Sequence, residues 1–362
     1  MRILYGVVGE GMGHATRSKV VLAHLLKHGH DIEVVVSGRA YDLLAKELGD
    51  QLGVRRIHGF EMVYADNAVK KRKTLLKNLE GLNRGLPDNV LAWFQMMRQF
   101  QPEVVISDFE SWSFLYGKQR GLPVISIDNI QMINRCDHSD VLQAQYSGDF
   151  GLAKGIVKSK LPKCAHYLIT TFFHPPVRKK RTTLVPPILR DEILAARQHC
   201  RDDGHVLVYQ TGESHGALEQ TLRSFEDIEF RVYGLRRDLH ETINDGNLVW
   251  RPFSQQGFID DLASCTAVIA GGGFSLMSEA IYLGKPVLSV PLGGQFEQIL
   301  NALWLQKLGY GIYRQQVAQR ELKEFLERCP ELIDNLKSYR QQGNTELFNT
   351  LDNLLAHICA QS

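Results

Sequence analysis

Residues 267–290 read AVIAGGGFSLMSEAIYLGKPVLSV. Ala267 to Ala270 form a short apolar run of strand character. Gly271, Gly272 and Gly273 then turn the chain into a helical pattern that stops at Gly284, and Pro286 precedes a second apolar run, Val287 to Val290. Two near-continuous apolar strands joined through a helix make a parallel crossover, buried on both faces. Three successive glycines let backbone amides and the next helix N-terminus converge on an anion, phosphate above all. Glu279 lies four residues beyond Ser275, roughly one helical turn on. A carboxylate there can accept two hydroxyl hydrogen bonds from a ribose just past such phosphates. Beyond the second strand, Gln295, Gln298 and Asn301 offer polar side chains able to read sugar hydroxyls. The plainer alternative is a crossover that merely packs tightly.

The same rhythm extends in both directions. Upstream, strand-like runs are Ile3 to Val8, Ile32 to Val36, Val104 to Ser107, Val124 to Ile127 and Tyr167 to Thr170. Around the quoted stretch they are Val206 to Tyr209, Phe230 to Tyr233 and Leu248 to Trp250. Helical spacing separates them, as at Val21, Leu22, Leu25 and Leu26. The fold class is therefore α/β, with the strand–helix alternation run twice. The stretch His174 to Pro187 holds four prolines and the basic run Arg178 to Arg181, which reads as a break between domains. The expected division is 1–174, a linker at 175–187, a second domain at 188–335, and a helical tail at 336–362. Leu347, Leu351, Leu354 and Leu355 stripe that tail, and the tail is expected to cross back to the first domain. Doubly wound domains bind ligands at the carboxyl ends of their strands, hence in the cleft between the two.

Composition agrees with two folded domains. The chain has 362 residues, 44% hydrophobic and 23% charged, ordinary proportions for a globular protein. No run approaches the ~18 apolar residues of a membrane span, and the opening residues turn glycine-rich too early for a secretory signal. Six scattered cysteines without a C-x-x-C pair argue against a disulfide scaffold or a structural zinc site. A cytoplasmic location is expected. The net charge of +2 is uneven: 26 Lys+Arg against 17 Asp+Glu up to residue 181, then 16 against 23. A basic half and an acidic half imply different partners.

After the first strand comes Gly9-Glu10-Gly11-Met12-Gly13-His14, then a helix. A dinucleotide fingerprint would need its third glycine at position 14, where His14 stands. Glycines such as Gly11 and Gly13 instead allow a substrate close to the backbone. His14, at the rim of a helix N-terminus, has the proton affinity of a general base. The plainer alternative is that His14 caps the helix or lines a pocket without chemistry. Asp108, ending strand Val104 to Ser107, is its best partner, with Glu110 the runner-up and helix capping the alternative for Asp108. Arg17, one turn into the helix, is expected to face an acidic acceptor, and Asp128 and Asn129 at another strand end to line the acceptor side. Gln210 to Ser214 is a further phosphate-facing helix start.

With these residues in hand, the sequence resembles GT-B glycosyltransferases, which place two Rossmann-like domains face to face. Within that class it resembles the branch of the UDP-glycosyltransferases and the peptidoglycan N-acetylglucosaminyltransferase, and a group of uncharacterised bacterial and archaeal glycosyltransferases. The resemblance covers nearly the whole chain and is most specific in the G-x-G-x-G-H turn and from Gly271 to Gln298. It implies an inverting transfer from a nucleotide-diphosphate sugar, UDP-linked, to a hydroxyl acceptor, without a metal or separate cofactor. It implies His14 as base, and Gly272, Gly273, Phe274 and Ser275 as the diphosphate turn. By the same resemblance Glu279 holds the ribose and Gln298 contacts the sugar, beside Gln295. Arg190 and the loop Gly212, Glu213 and Ser214 would reach the diphosphate, and Phe253 marks a backbone contact to the nucleobase. The loop Gly-Gln-Phe-Glu-Gln lacks the plant-type aspartate–glutamine pair, so the sugar stays open.

The sequence contains neither H-E-x-x-H nor D-x-D. From Val69 to Phe100, Lys70 to Lys73 accompany Leu75, Leu76, Leu79, Trp93, Phe94 and Met96. Such a stretch either docks on the inner face of a membrane, where a lipid-linked or phosphate-bearing acceptor would be met, or is an ordinary half-buried helix. Two rivals share the architecture: a nucleotide-sugar 2-epimerase and a non-catalytic nucleotide-sugar-binding protein. No motif for DNA binding is present.

Overall fold

A computed structural model describes residues 1–9, 12–59, 64–65, 68–69, 88–210, 216–236 and 238–361. The first domain begins with β1 (Arg2–Val7), α1 (Met12–Lys27), β2 (Asp31–Val36), α2 (Ala40–Leu48) and β3 (Gly53–Arg56). A small antiparallel pair follows, β4 (Tyr64–Ala65) and β5 (Ala68–Val69). Next are a helix at 88–95 (α3), which runs into a π-turn at Met96–Phe100, then β6 (Val104–Asp108) and α4 (Ser111–Gln119). The domain continues with β7 (Val124–Asp128), α5 (Met132–Arg135), α6 (Ser147–Lys160), β8 (His166–Thr170) and β9 (Thr182–Val185). The sheet order is β3-β2-β1-β6-β7-β8-β9, parallel throughout.

The second domain runs α7 (Asp191–Ala196), β10 (Val206–Tyr209), α8 (Gly216–Arg223), β11 (Phe230–Tyr233), β12 (Ile243–Asp245) and β13 (Leu248–Trp250). It continues through α9 (Gln255–Ser264), β14 (Ala267–Ala270), α10 (Phe274–Tyr282), β15 (Val287–Ser289), α11 (Phe296–Lys307), β16 (Gly311–Tyr313) and α12 (Gln319–Leu336). Its order is β12-β13-β11-β10-β14-β15-β16, with β12 alone antiparallel. Both sheets reverse direction of winding beside a central strand, between β1 and β6 and between β10 and β14. Those reversals open a crevice at the strands' carboxyl ends. Val7 pairs with Asp108 and Tyr209 with Ala270 at those ends.

The expected linker at 175–187 needs correction. Thr182 to Val185 is β9, paired in register with Tyr167 to Thr170. Val177 bridges to Cys136, and the Arg178 N–H donates to the Arg135 carbonyl at 2.9 Å. The prolines end one connection, but a short edge strand still fits after them, because only one of its sides needs donors. Val185 and Ile188 are buried in the first domain's core. Pro330 lies inside α12.

The last helix, α13 (Thr345–Gln361), crosses back as expected. Leu347, Leu351 and Leu355 join Val21, Leu22 and Leu25 of α1 in one apolar cluster. Asn344 fixes the crossing: its Oδ1 accepts from Leu189 N at 2.9 Å and its Nδ2 donates to Leu189 O at 2.7 Å. A second cluster is continuous between the two domains. There Phe172 stacks on Phe274 at 5.8 Å, and Phe173 stacks on Trp304 at 5.1 Å. The Trp304 indole N–H donates to His138 Nδ1 at 3.1 Å. Aromatic stacks of this kind hold large apolar areas in a defined orientation. Among the described residues no helix is long and apolar enough to cross a membrane.

Candidate functional site

β1 ends at Val7, and α1 starts at Met12. His14, in the first turn of α1, faces the end of the neighbouring strand β6. Its Nδ1 lies 2.9 Å from Asp108 Oδ1. Asp108 is 1% exposed and takes further donors from Arg17 Nε at 2.9 Å, Arg17 Nη2 and Ser18 Oγ at 3.0 Å. Burial pushes its carboxyl up, but the Arg17 guanidinium and the hydrogen bonds from His14 and Arg17 hold it far below the usual range. Arg17 in turn sits well above its ordinary value, because the attraction of Asp108 outweighs its burial.

Arg17 was expected to face an acceptor, and that reading fails. It is 6% exposed and clamps Asp108 from inside. Its Nη2 is also 2.7 Å from His14 Nδ1. That single ring nitrogen either donates to Asp108 or accepts from Arg17. In the first tautomer the lone pair stands on Nε2, the form a general base needs. Burial, then the Arg17 charge, lowers the His14 pKa below its ordinary 6.5, so the ring is neutral at pH 7. The ring keeps an open edge, with 15% of the side chain exposed.

The competing partner is placed elsewhere. Glu110 caps α4, accepting from Trp112 N at 2.7 Å and Ser113 N at 2.6 Å. The capping expected as an alternative for Asp108 is thus done by Glu110. Asp128 and Asn129 are buried and satisfied inside the first domain. Asp128 accepts from Ser126 Oγ at 2.6 Å and Gln131 N at 2.7 Å, and Asn129 Nδ2 donates to Thr170 O at 3.0 Å. Burial raises the Asp128 carboxyl to about 6. These residues brace the strand ends instead of lining an acceptor surface.

Across the crevice stands α10. Ser275 Oγ donates to Gly13 O at 3.4 Å, so the first turns of α1 and α10 meet. A Cβ on Gly13 would come 2.8 Å from Ser275 Oγ, a contact that only glycine permits without displacement. Gly272 is forced more strongly: a Cβ there would fall 2.4 Å from both Cβ and O of Gln298. Its N–H, expected at the diphosphate, donates to Gln298 Oε1 at 3.2 Å, as does Leu292 N at 3.0 Å. Gln298 Nε2 donates to Gln295 Oε1, and Asn301 Nδ2 to Gly272 O at 3.2 Å. Gln298 therefore laces the triple-glycine turn to the next loop. The N–H groups of the first turn of α10 have no intrahelical acceptor, and a Cβ on Gly273 would meet nothing within 4 Å.

Glu279 and Arg190 come together, which the sequence did not foretell. Arg190 Nε and Nη2 donate to the two oxygens of Glu279 at 2.7 Å each. The pair is largely buried, and burial raises the Glu279 carboxyl against the pull of Arg190. Each carboxylate oxygen retains a second lone pair for a hydroxyl. Phe253, between β13 and α9, is 79% exposed. Gly11, Gly212, Glu213, Ser214 and the run Lys70 to Lys73 with Leu75, Leu76 and Leu79 lie outside the described residues. Arg17 could have been suspected as a partner of this site, since it stands three residues from His14 on one helix face.

With the geometry in place, comparisons with known proteins converge. The family model described as glycosyl transferase family 1 matches residues 1–330. The chain is similar to an uncharacterized glycosyltransferase of Methanosarcina mazei, 25% identical and covering 94% of this chain and 92% of that one. It is likewise 25% identical to another from Methanosarcina acetivorans, over 86% and 85% of the two chains. Among solved structures, the calicheamicin glycosyltransferase CalG4 superposes with a TM-score of 0.66, at 17% identity over 98% of each chain. The glycosyltransferase of kitacinnamycin gives 0.65, at 15% identity over 97% and 98%. At such identities the structural likeness is one of fold, that of two facing Rossmann-like domains.

Proposed function

This chain belongs to glycosyl transferase family 1, and from that premise we propose that it moves a sugar from a UDP-linked donor to an acceptor hydroxyl with inversion, His14 being the base. Sugar transfer itself follows from the family. The observation that carries the finer reading is the His14–Asp108 pair, set on the opposite side of the crevice from the N-terminus of α10.

His14 Nε2 takes the acceptor's proton as its oxygen attacks the anomeric carbon. Asp108 holds the ring's other nitrogen and stabilises the imidazolium that forms. The new glycosidic bond forms as the bond to the diphosphate oxygen breaks, through an oxocarbenium-like transition state. Charge then gathers on the leaving diphosphate. The amides of Gly273, Phe274 and Ser275 lie where the helix dipole favours an anion. Arg190 keeps N–H groups beyond the two it gives Glu279. Glu279 would receive the ribose hydroxyls, and the Phe253 segment the base. Local positive charge of this kind can do what a metal does elsewhere, so a metal-independent transfer is part of the proposal.

The acceptor belongs to the first domain. The basic excess of residues 1–181 and the exposed Val90, Leu91 and Phe94 of α3 support an acceptor that is phosphate-bearing or lipid-linked, met at the inner face of an anionic membrane. The test is incubation with UDP-, GDP- and TDP-sugars, with and without acceptor alcohols, followed by NMR of the anomeric centre. An inverted glycoside from a UDP-sugar is expected. Epimerised donor without acceptor, or a retained anomer, would overturn the reading.

A further inference from the structure

Away from the crevice, His24 in the last turn of α1 and His28, the residue just after the helix, stand four residues apart beneath the returning helix α13. His24 Nε2 lies 2.9 and 3.0 Å from the two oxygens of Asp352. Its ring stacks on Phe348 at 3.9 Å, nearly parallel, so its orientation is fixed by packing. The His28 ring stands 4.2 Å from it, centroid to centroid. One ring nitrogen of each histidine and one Asp352 oxygen all lie within 4.8 Å of one another.

We propose that His24, His28 and Asp352 form a binding site for a divalent cation of the zinc class, clasping α13 to α1. The donor set is two imidazoles and a carboxylate, which suits zinc, cobalt or nickel and not the all-oxygen preference of magnesium or calcium. Tetrahedral bonds of 2.0–2.1 Å place ligand atoms roughly 3.3 Å apart. The His24–Asp352 separation is already near that, and the ion takes the place of the proton between them. His28 is exposed, so its ring can turn to close the wider gap. Its Nδ1 lies 2.8 Å from the His24 carbonyl oxygen. A proton donated there leaves the lone pair on Nε2, the arrangement by which backbone carbonyls orient metal-binding histidines. A water would complete the shell.

The test uses the full chain without a histidine tag. Calorimetry and thermal unfolding with zinc chloride, and absorption spectra with cobalt chloride, report binding directly. One zinc per chain is expected, with a raised Tm that magnesium chloride does not reproduce. His28→Ala and Asp352→Asn should each weaken binding about tenfold or more. Neither substitution removes a core side chain, so both variants should fold. Absence of heat and of a Tm shift at saturating zinc overturns the proposal. So does undiminished binding in both variants, or a thiolate charge-transfer band with cobalt, which would place the ion on a cysteine.

Discussion

Replacing Arg17 by Met probes how this site sets the proton affinity of His14, the proposed base. Asp108 receives donors from His14, Arg17 and Ser18, and Arg17 is the guanidinium that clamps it. Removing one partner of such a buried pair costs about 3–5 kcal/mol, because a charge is left uncompensated. A second consequence is specific to catalysis. At an effective dielectric of about 20, a unit charge about 4 Å away is worth about 4 kcal/mol, or roughly three pKa units. Asp108 offsets much of the Arg17 charge felt by His14, so the His14 pKa should rise by only part of that amount when Arg17 is removed. In the parent the acid limb of kcat/KM should lie below the ordinary 6.5 of histidine, because burial and Arg17 lower the His14 pKa. In Arg17→Met that limb should move to higher pH, so activity at pH 6 falls further than activity at pH 8. Urea unfolding gives the stability loss, and a pH–rate profile gives the limb. A limb that stays in place, or moves down, refutes the view that Arg17 keeps His14 neutral.

Asp128→Asn should stabilise the protein at high pH. The fold raises this carboxyl from 3.8 to about 6, so its contribution is full below about pH 4 and is lost as pH rises through about 6. Removing the titration gains up to about 3 kcal/mol at pH 8 and nothing near pH 4; equal effects at both pH values in urea melts would contradict this. Gly272→Ala and Gly273→Ala should differ. The first drives a Cβ into Gln298 and lowers Tm, while the second meets no atom within 4 Å and should instead raise KM for the donor with Tm unchanged. Glu279→Gln should weaken nucleoside diphosphate binding by about 1–3 kcal/mol, read by calorimetry; unchanged affinity excludes the ribose role.

Much of this was legible because it is local. Glycine turns after apolar strands fix where helices begin, and His14 and Asp108 end up together because β1 and β6 are neighbours. The polar edge strand β9 was hidden between two pairs of prolines, beside a basic run. The strands β12 and β16, three residues each, carry too little pattern to stand out. Arg17 read as facing an acidic acceptor because its actual partner, a buried carboxylate, lies 91 residues away. The Arg190–Glu279 pair spans 89 residues and the Phe172–Phe274 stack joins two domains, so neither leaves a trace in spacing. Gln298 was identified as a site residue, but its part in holding Gly272 appears only once the two loops are seen side by side.

The central claim rests on His14, and one variant tests it. His14→Ala should be measured for sugar transfer and for nucleoside diphosphate affinity on the same preparation. The account predicts that transfer falls by about 10²–10⁴ while nucleotide affinity stays nearly unchanged, since the base touches the acceptor and not the donor. Turnover comparable to the parent would contradict it.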